Sequence, residues 1–258
     1  ADEHGFAVCY PNGTTDQSNN RFWNVGYAFH QNQTVDDVGF LSSLAYYLQT
    51  ENGYSSENTF VTGMSNGGDM SYMLACQADE IFKAIAPVAG CMMEGIYNTC
   101  NPNPIPIFEI HGTADGVTLW NGDMENNDGW GSYLSTLDGI SFWVEQNECQ
   151  NSEEIQGPAL NTIHHRYFDC MDNTEVWLYE IVGGGHDWPA YSSQEIWNFF
   201  SQFIVSGDIN NDGSINIQDI ILLINIILES NFDSNADINN DGIINILDIV
   251  QLVNIILD

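Results

Sequence analysis

The chain has 258 residues, and 36 acidic residues face three basic ones, so its formal net charge at pH 7 is −33. Such a charge repels nucleic acid and anionic membranes, which excludes both as partners, and it favours cations. No run of about 18 apolar residues occurs, so we expect no segment to span a membrane. The apolar content of 43% excludes extensive disorder.

The first apolar runs predict one strand and one helix. Residues 5–11 form a short apolar run that ends at proline, which predicts a strand. Residues 36–53 carry apolar side chains at helical spacing, with Asp36 or Asp37 as the cap and Gly53 as the stop.

The following segments continue the alternation up to residue 205. We predict strands in NTFVTG, KAIAPVAG, IPIFEIHG and EVWLYEIVGGG, and helices in GGDMSYMLACQA and SSQEIWNFFSQFIV. The last helix has Ser192 and Glu195 at capping-box spacing. Strands that alternate with helices predict an α/β fold with a mostly parallel sheet, covered by helices on both faces.

A repeat begins at Gly207. GDINNDGSINIQDIILLINIILE returns 29 residues later as ADINNDGIINILDIVQLVNIILD, so Asp208 recurs as Asp237. A repeat this close indicates a duplicated structural unit. We therefore predict two domains, residues 1–205 and residues 207–258, with no spacer between them.

The motif G-x-S-x-G places Ser65 between Gly63 and Gly67, after an apolar strand and before a helix. A serine nucleophile needs a base, an acid that orients the base, and donors for the oxyanion. Tight packing at the two glycines fits a nucleophile turn, whereas the alternative is an ordinary glycine-flanked turn.

The partners of Ser65 are expected after later strands, in the order acid and then histidine. Asp115 stands just past IPIFEIHG, and His186 stands on a glycine loop past the last strand. Asp123 and Asp187 are weaker candidates for the acid. Taken singly, Asp115 could be a turn carboxylate and His186 a surface residue, but their joint placement favours catalysis.

Several segments resemble one family in combination. ADEHGFAVCYPNG, VTGMSNGGDMSYMLACQADEIFKAIAPVAG, CNPNPIPIFEIHGTAD and GGGHDWP are similar to secreted esterases of the polyhydroxybutyrate depolymerase and feruloyl/acetyl-xylan esterase group. The resemblance covers residues 1–205. It implies an α/β-hydrolase fold, ester hydrolysis without a cofactor, and a catalytic triad of Ser65, Asp115 and His186.

The resemblance also implies the surroundings of the triad. The Asn66 N–H is one oxyanion donor, and the second belongs to a His-Gly loop that the family carries upstream of residue 1. We therefore expect the chain to lack the first strands and half of the oxyanion hole. Trp188 matches the family's Trp-Pro after the histidine. Trp120 takes the aromatic place near the substrate, but GTADGVTLWNG departs from the family there, so a different pocket is expected.

The six cysteines include no C-x-x-C pair, which disfavours zinc and favours disulfides of a secreted protein. The resemblance implies a bond between Cys76 and Cys100. Cys149 and Cys170 flank a hairpin-like segment and are the second predicted pair. Two cysteines, Cys9 and Cys91, remain; the simplest interpretation is two buried free thiols, and the sequence leaves their state open.

Each repeat has the pattern of a calcium loop, with oxygen ligands at alternate positions around a glycine. The alternative, an acidic solvated linker, does not explain two copies in register. The predicted ligands are Asp208, Asn210, Asp212, the Ser214 carbonyl and Asp219 in the first loop, and Asp237, Asn239, Asp241, the Ile243 carbonyl and Asp248 in the second.

The two loops, each with aspartate at position 12, resemble a type I dockerin over residues 207–258. The resemblance implies two bound Ca²⁺ ions and a cohesin-type scaffold protein as partner. Ile217, Gln218, Ile246 and Leu247 stand where dockerins select their cohesin. The alternative is an appendage locked by calcium and packed on the esterase.

Together these features predict an extracellular, secreted or cell-surface attached, serine ester hydrolase. Its expected substrates are polysaccharide-linked esters such as feruloyl or acetyl xylan. The alternatives are a polyester depolymerase of the polyhydroxybutyrate type and a binding protein that keeps the hydrolase fold without turnover.

Overall fold

The computed structural model describes residues 1, 4–16, 19–210, 212, 214–231, 233–239 and 242–257. Its contacts divide the chain into two units. One unit comprises Ala1–Pro11, Ala45–Asn58 and Ile204–Asp258, and the other comprises Asn12–Leu44 and Thr59–Phe203. The domain limits expected from the sequence, 1–205 and 207–258, stay a prediction.

The larger unit contains a six-stranded sheet. The strands of the chain are β1 (Thr14–Thr15), β2 (Arg21–Phe22), β3 (Phe60–Met64), β4 (Ala84–Val88), β5 (Ile107–Gly112), β6 (Asn151–Gln156), β7 (Thr162–Phe168) and β8 (Val176–Ile181). β1 pairs only with β2, whereas the other six follow the order β3-β4-β5-β8-β7-β6. β3, β4, β5 and β8 run parallel, and β7 and β6 are antiparallel to their neighbours. The predicted mostly parallel sheet is confirmed.

Helices connect the strands and continue into the repeat. They are α1 (Asp37–Asn52), α2 (Asn66–Gln77), α3 (Glu94–Tyr97), α4 (Thr136–Gln146), α5 (Ser192–Phe200), α6 (Ile217–Glu229) and α7 (Ile246–Leu257). Short 3-10 helices lie at Ala28–His30, Met171–Asn173, Ser201–Phe203 and Ser234–Ala236. In the part of the chain that the structure describes, none of the helices is long and apolar enough to cross a bilayer.

Both faces of the central strands are buried. Every residue of β4 and β5 is buried, as expected for parallel strands that helices cover on both sides. On one face, Phe108 of β5 packs with Trp177 of β8 and Phe199 of α5. On the other face, Glu109 of β5 receives a hydrogen bond from Tyr72 of α2.

The ends of α1 settle which aspartate caps the helix. Asp36 Oδ1 accepts from the Gly39 N–H at 2.8 Å, and the Asp36 carbonyl accepts from the Phe40 N–H. The helix ends before Gly53, whose φ of 71° is costly for any residue with a Cβ. Asp36 is therefore the cap, and Asp37 is the first helical residue.

Two local predictions were wrong. Residues 6–11 form no strand, because a strand needs a pairing neighbour and the described residues place none beside them. Ser192 is the first residue of α5 and not its cap, and no side-chain cap closes that end. Glu195 instead accepts a hydrogen bond from the Tyr179 hydroxyl at 2.5 Å.

The hairpin of β6 and β7 was not predicted as strands. All six residues of β6 are exposed. A strand with no buried face needs no alternation of apolar and polar residues, and the sequence NSEEIQ shows none. Pairing with β7 along its full length forms the strand.

In the smaller unit, α6 and α7 share an apolar core. Leu223 of α6 and Leu252 of α7 are fully buried, together with Ala236 and Ile238 from the segment between the two helices. Asn216 caps α6 in a capping box, in which Asp219 accepts from the Asn216 N–H.

Candidate active site

Ser65 lies at the turn between β3 and α2, with φ of 55° and ψ of −124°. A positive φ strains a residue that has a Cβ, and it persists only where the surroundings hold it. The Ser65 N–H donates to the Val88 carbonyl at 2.9 Å. The Ser65 carbonyl accepts from the Gly68 and Asp69 N–H groups at 2.7 and 3.0 Å. The strained turn therefore holds Ser65 at the carboxyl end of a parallel strand, where α/β sheets build their sites.

Glycines make this turn sterically feasible. A Cβ on Gly63 would lie 2.4 Å from the Gly67 carbonyl oxygen, and a Cβ on Gly68 would lie 2.9 Å from Gly90 Cα. A Cβ on Gly67 would meet no atom within 4 Å. The close approach expected at Gly63 is thus present, whereas Gly67 contributes its backbone to that contact.

Asp115 and His186 are brought together by neighbouring parallel strands, β5 and β8. The loops after these strands touch, since a Cβ on Gly112 would lie 2.3 Å from the Gly184 carbonyl oxygen. His186 Nδ1 lies 2.8 Å from Asp115 Oδ2. Asp115 and His186 therefore form a hydrogen-bonded pair at the same edge of the sheet as Ser65.

The other oxygen of Asp115 is held by the loop itself. Asp115 Oδ1 accepts from the Val117 and Thr118 N–H groups at 2.7 and 3.0 Å. The carboxyl group is thereby fixed in place with Oδ2 facing His186 Nδ1, a geometry suited to orienting the histidine ring. Asp123, the alternative acid, accepts instead from Asn127 and Asp128.

The remaining histidines occupy other places. They lie in strands, in a 3-10 helix or near the terminus: His4, His30, His111, His164 and His165. Burial lowers the pKa of His164 to about 4, so this ring is neutral at pH 7. Of the six, His186 is the one in the loop after β8.

Asn66, the predicted oxyanion residue, is anchored by its side chain. Asn66 Oδ1 accepts from the Trp23 N–H at 2.7 Å, and Asn66 Nδ2 donates to the Trp23 carbonyl at 3.0 Å. Its backbone N–H stands at the first position of α2, where a helix offers no internal acceptor. The geometry is compatible with an oxyanion donor, and the second donor stays a prediction.

The two tryptophans predicted to contact substrate lie near the acid–base pair in the chain. The Trp120 ring meets the His111 ring edge-on, with centroids 5.9 Å apart. Trp188 is 39% exposed and follows His186 by two residues. A role for either residue in substrate binding stays a prediction.

Motif reasoning missed the buried polar groups behind the site. Glu109 accepts from the Tyr72 hydroxyl at 3.0 Å and lies 2.9 Å from His111 Nδ1. Asp69 accepts from the Tyr27 hydroxyl and from the Cys91 N–H, and burial raises its pKa to about 7. The sequence did indicate part of this cluster. Glu109 and His111 are ionisable side chains two positions apart in an otherwise apolar strand, so they lie on the same face of the sheet.

The structure contains the two predicted disulfides, Cys76–Cys100 and Cys149–Cys170. The second bond joins the residues just before β6 and just after β7. Cys91 is a buried free thiol, as expected, whereas Cys9 is exposed.

The calcium loops place carboxylates inside the smaller unit. Asp208, Asp219, Asp237 and Asp248 are buried, and residues 206–258 include no Lys or Arg. A cation stabilises buried carboxylates, and oxygen donors suit Ca²⁺. The donor set of the repeat therefore fits calcium.

The loop hydrogen bonds turn these carboxylates inward. Asp219 Oδ1 accepts from the Ile209 N–H at 2.8 Å, and Asp248 Oδ1 accepts from the Ile238 N–H at 2.9 Å. Among the described residues no three His, Cys, Asp or Glu side chains already stand in a metal-holding arrangement. The predicted ligand Asp241 and the loop glycine Gly213 lie outside the described residues.

Two families match parts of the chain. Residues 206–257 match the Dockerin type I domain, and residues 1–101 match the prolyl oligopeptidase family.

Proteins named as esterases match more than two thirds of the chain. The chain is 24% identical to a bifunctional acetylxylan esterase/xylanase of Neocallimastix patriciarum, over 83% of this chain and 29% of that protein. It is 27% identical to feruloyl esterase B of Piromyces equi, over 70% and 33%, and 35% identical to a probable feruloyl esterase C of Aspergillus clavatus, over 69% and 60%. The chain thus spans less than two thirds of each of these relatives.

A solved acetyl xylan esterase from Aspergillus awamori superposes with a TM-score of 0.46 at 16% identity, over 65% of this chain and 68% of that one.

The sheet order, the strained serine turn and the loop-borne pair of Asp115 and His186 are those of an α/β-hydrolase-like fold. In particular, the chain is similar to feruloyl and acetylxylan esterases, and its residues 206–257 match the Dockerin type I domain.

Proposed function

We propose that the chain is a serine carboxylic ester hydrolase with Ser65 as nucleophile, His186 as base and Asp115 as the orienting acid. The observation that carries the proposal is the 2.8 Å contact of His186 Nδ1 with Asp115, at the edge of the sheet where the strained Ser65 turn ends β3. The similarity to named esterases supports the same chemistry.

The proposed reaction is acyl transfer through the serine. His186 Nε2 takes the Ser65 proton while Ser65 Oγ attacks the ester carbonyl, and Asp115 stabilises the imidazolium. The Asn66 N–H donates to the oxyanion. His186 then protonates the leaving alcohol, and water, activated by the same histidine, releases the acid from the acyl-serine.

The proposed substrates are polysaccharide-linked esters such as feruloyl or acetyl groups on xylan. The names of the relatives support this class over a polyester of the polyhydroxybutyrate type. The match of residues 1–101 to the prolyl oligopeptidase family makes amide hydrolysis after proline the specific competing activity.

The dockerin domain is proposed to bind two calcium ions, one per repeat, since domains of this type bind calcium. Asp208, Asn210, Asp212, the Ser214 carbonyl and Asp219 would hold one ion, and Asp237, Asn239, Asp241, the Ile243 carbonyl and Asp248 the other. Calcium would supply the positive charge that the buried carboxylates need.

A cohesin-type scaffold protein is the proposed partner of this domain. Ile217, Ile246 and Leu247 are 63%, 66% and 57% exposed at the starts of α6 and α7, and Gln218 is also exposed. Apolar side chains this exposed favour a protein contact. Docking to a scaffold, together with two disulfides, supports secretion or attachment at the cell surface.

Labelling with a fluorophosphonate tests the nucleophile. We expect one adduct at Ser65, located by peptide mapping, and none in the Ser65→Ala variant. Ser201→Ala, which alters an exposed serine outside the site, should label like the wild type. A folded wild-type chain that forms no adduct would support the non-catalytic binding protein.

Substrate class is tested by rates on acetylated xylan, methyl ferulate, polyhydroxybutyrate film and a proline p-nitroanilide. We expect turnover of the first two substrates. Turnover confined to the film or to the anilide would contradict the polysaccharide-ester proposal.

A further inference from the structure

His111 is buried at the end of β5, between Glu109 and the loop that carries Asp115. Its Nε2 lies 2.9 Å from the Thr118 carbonyl oxygen, and its Nδ1 lies 2.9 Å from Glu109 Oε1. A carbonyl oxygen can only accept, so the His111 Nε2 carries a hydrogen. The protonation of Nδ1 then depends on Glu109.

Glu109 is surrounded by donors. Its Oε2 accepts from the Tyr72 hydroxyl at 3.0 Å, and its Oε1 accepts from the Gly90 N–H at 3.3 Å as well as facing His111. Both oxygens receive hydrogen bonds, which is the pattern of an ionised carboxylate. These bonds favour placing the proton between Glu109 and His111 on Nδ1, which would make His111 an imidazolium.

The same ring reaches the candidate catalytic acid. His111 Nε2 lies 3.5 Å from Asp115 Oδ2, the oxygen that binds His186 Nδ1. The side chains of His111, Glu109 and Asp115 are all fully buried. A positive charge between two buried carboxylates offsets their repulsion and their loss of hydration.

We propose that His111, held between Glu109 and Thr118, is a positioning residue that keeps the Asp115 carboxylate ionised and directed at His186. The inference rests on the proposed function, in which Asp115 is the catalytic acid.

The other titratable groups near this pair are few. Tyr72 and Asp69 approach Glu109 from α2, and Cys91 approaches from the segment after β4. Burial raises the pKa of Tyr72 and of Cys91 well above their usual ranges, so both are neutral at pH 7. Asp69, with a pKa of about 7 that the charge of Glu109 helps to raise, is present in wild type and variant alike.

The direction of the His111 pKa agrees with the geometry. Burial by itself would lower the pKa of His111, but the contact with Glu109 reverses this and raises it. Burial raises the pKa of Glu109, and His111 counteracts that rise.

The test follows the histidine rings of the full chain by NMR after ¹⁵N-histidine labelling, with His186 assigned through His186→Asn. We expect the wild-type His111 to show two protonated ring nitrogens at pH 7. In His111→Gln, whose amide can still donate to the Thr118 carbonyl, we expect the midpoint of the His186 titration to rise by about one pH unit, because a nearby positive charge is lost.

Two controls isolate the charge. His165→Gln removes a histidine that contacts Glu180 at 2.9 Å on β8, and it should leave the His186 midpoint unchanged. The double variant Glu109→Gln/His111→Gln should match His111→Gln, because an isolated buried Glu109 would be neutral in the single variant. If His111→Gln does not fold, Glu109→Gln tests the pair, since His111 should then lose its Nδ1 proton at pH 7.

A neutral His111 in the wild type, or an unchanged His186 midpoint in folded His111→Gln, would overturn the proposal. Neither the His111 protonation state nor the His186 midpoint requires ester turnover. If both NMR results are as expected but the chain has no esterase activity, only the proposed function is rejected. With turnover, the acid limb of the kcat/KM profile should move to higher pH by the same amount.

Discussion

At the scale of single residues, the site region is organised by carboxyl groups in different surroundings. Asp115 is anchored by two loop N–H groups and binds His186, whereas Glu109 is paired with His111 inside the sheet. Asp69 has no basic partner among its hydrogen bonds, which come from Tyr27 and Cys91. Burial therefore raises the pKa of Asp69 to about 7 without a basic partner to oppose it.

Asp69 should make stability depend on pH. Its folded pKa of about 7 lies above the ordinary value of 3.8, so between these values the folded state binds more protons than the unfolded state. Its stabilising contribution is complete below pH 3.8 and is lost as pH rises through 7. Asp69→Asn removes this titration and keeps an acceptor for the Cys91 N–H.

We therefore expect the stability of Asp69→Asn relative to the wild type, measured as the difference in free energy of unfolding, to increase from pH 5 to pH 7. The increase is at most about 1.4 kcal/mol per pH unit. Urea unfolding followed by tryptophan fluorescence measures this, because all seven tryptophans precede residue 200. The exposed Asp172→Asn is the matched control. A difference that stays constant with pH would contradict the assignment.

At the scale of elements, the junction of β3 and α2 determines where Ser65 stands. The turn is closed by hydrogen bonds to the Ser65 backbone and by the close contact of Gly63 with the Gly67 carbonyl. The two motif glycines therefore have different roles, although the motif presents them as equivalent.

Alanine substitutions separate these roles. Gly63→Ala should lower the free energy of unfolding by about 1–3 kcal/mol, because its Cβ would lie 2.4 Å from a backbone oxygen that cannot move aside. Gly67→Ala meets no atom within 4 Å and lies in a helix, so its stability should equal or slightly exceed that of the wild type. Equal stability of the two variants would show that the contact is unimportant.

At the scale of the whole molecule, the two units depend on different sources of stability. The six-stranded sheet buries β4 and β5 completely, whereas the core of α6 and α7 is small and lies beside buried carboxylates. About 50 residues rarely bury enough apolar surface to fold without metal or crosslinks.

Chelation should therefore affect the units differently. We expect EDTA to reduce the helical circular dichroism signal by the fraction that α6 and α7 contribute, and to leave tryptophan fluorescence unchanged. Adding Ca²⁺ should restore the circular dichroism signal. Asp208→Ala, which alters no helix residue, should need more Ca²⁺ for that recovery. Unchanged circular dichroism in EDTA would contradict calcium-dependent folding.

Much of the fold was predictable because its signals are local. The apolar runs around β3, β4, β5 and β8 locate the parallel strands, and the repeat locates α6 and α7. The edge strand β6 was not predictable, because every residue of it is exposed and only pairing with β7 makes it a strand. The run at 5–11 failed for the opposite reason, since apolar residues without a paired neighbour form no strand.

The amino-acid sequence by itself determined the α/β order, the serine turn, the two candidate partners and the duplicated acidic loops, because each depends on residues close together in the chain. Only the tertiary structure decided that His186 binds Asp115 and that Glu109 and His111 stand behind this acid. Those contacts join residues of different strands and loops, and their protonation depends on burial. Burial and charge pairing arise only when distant segments pack together.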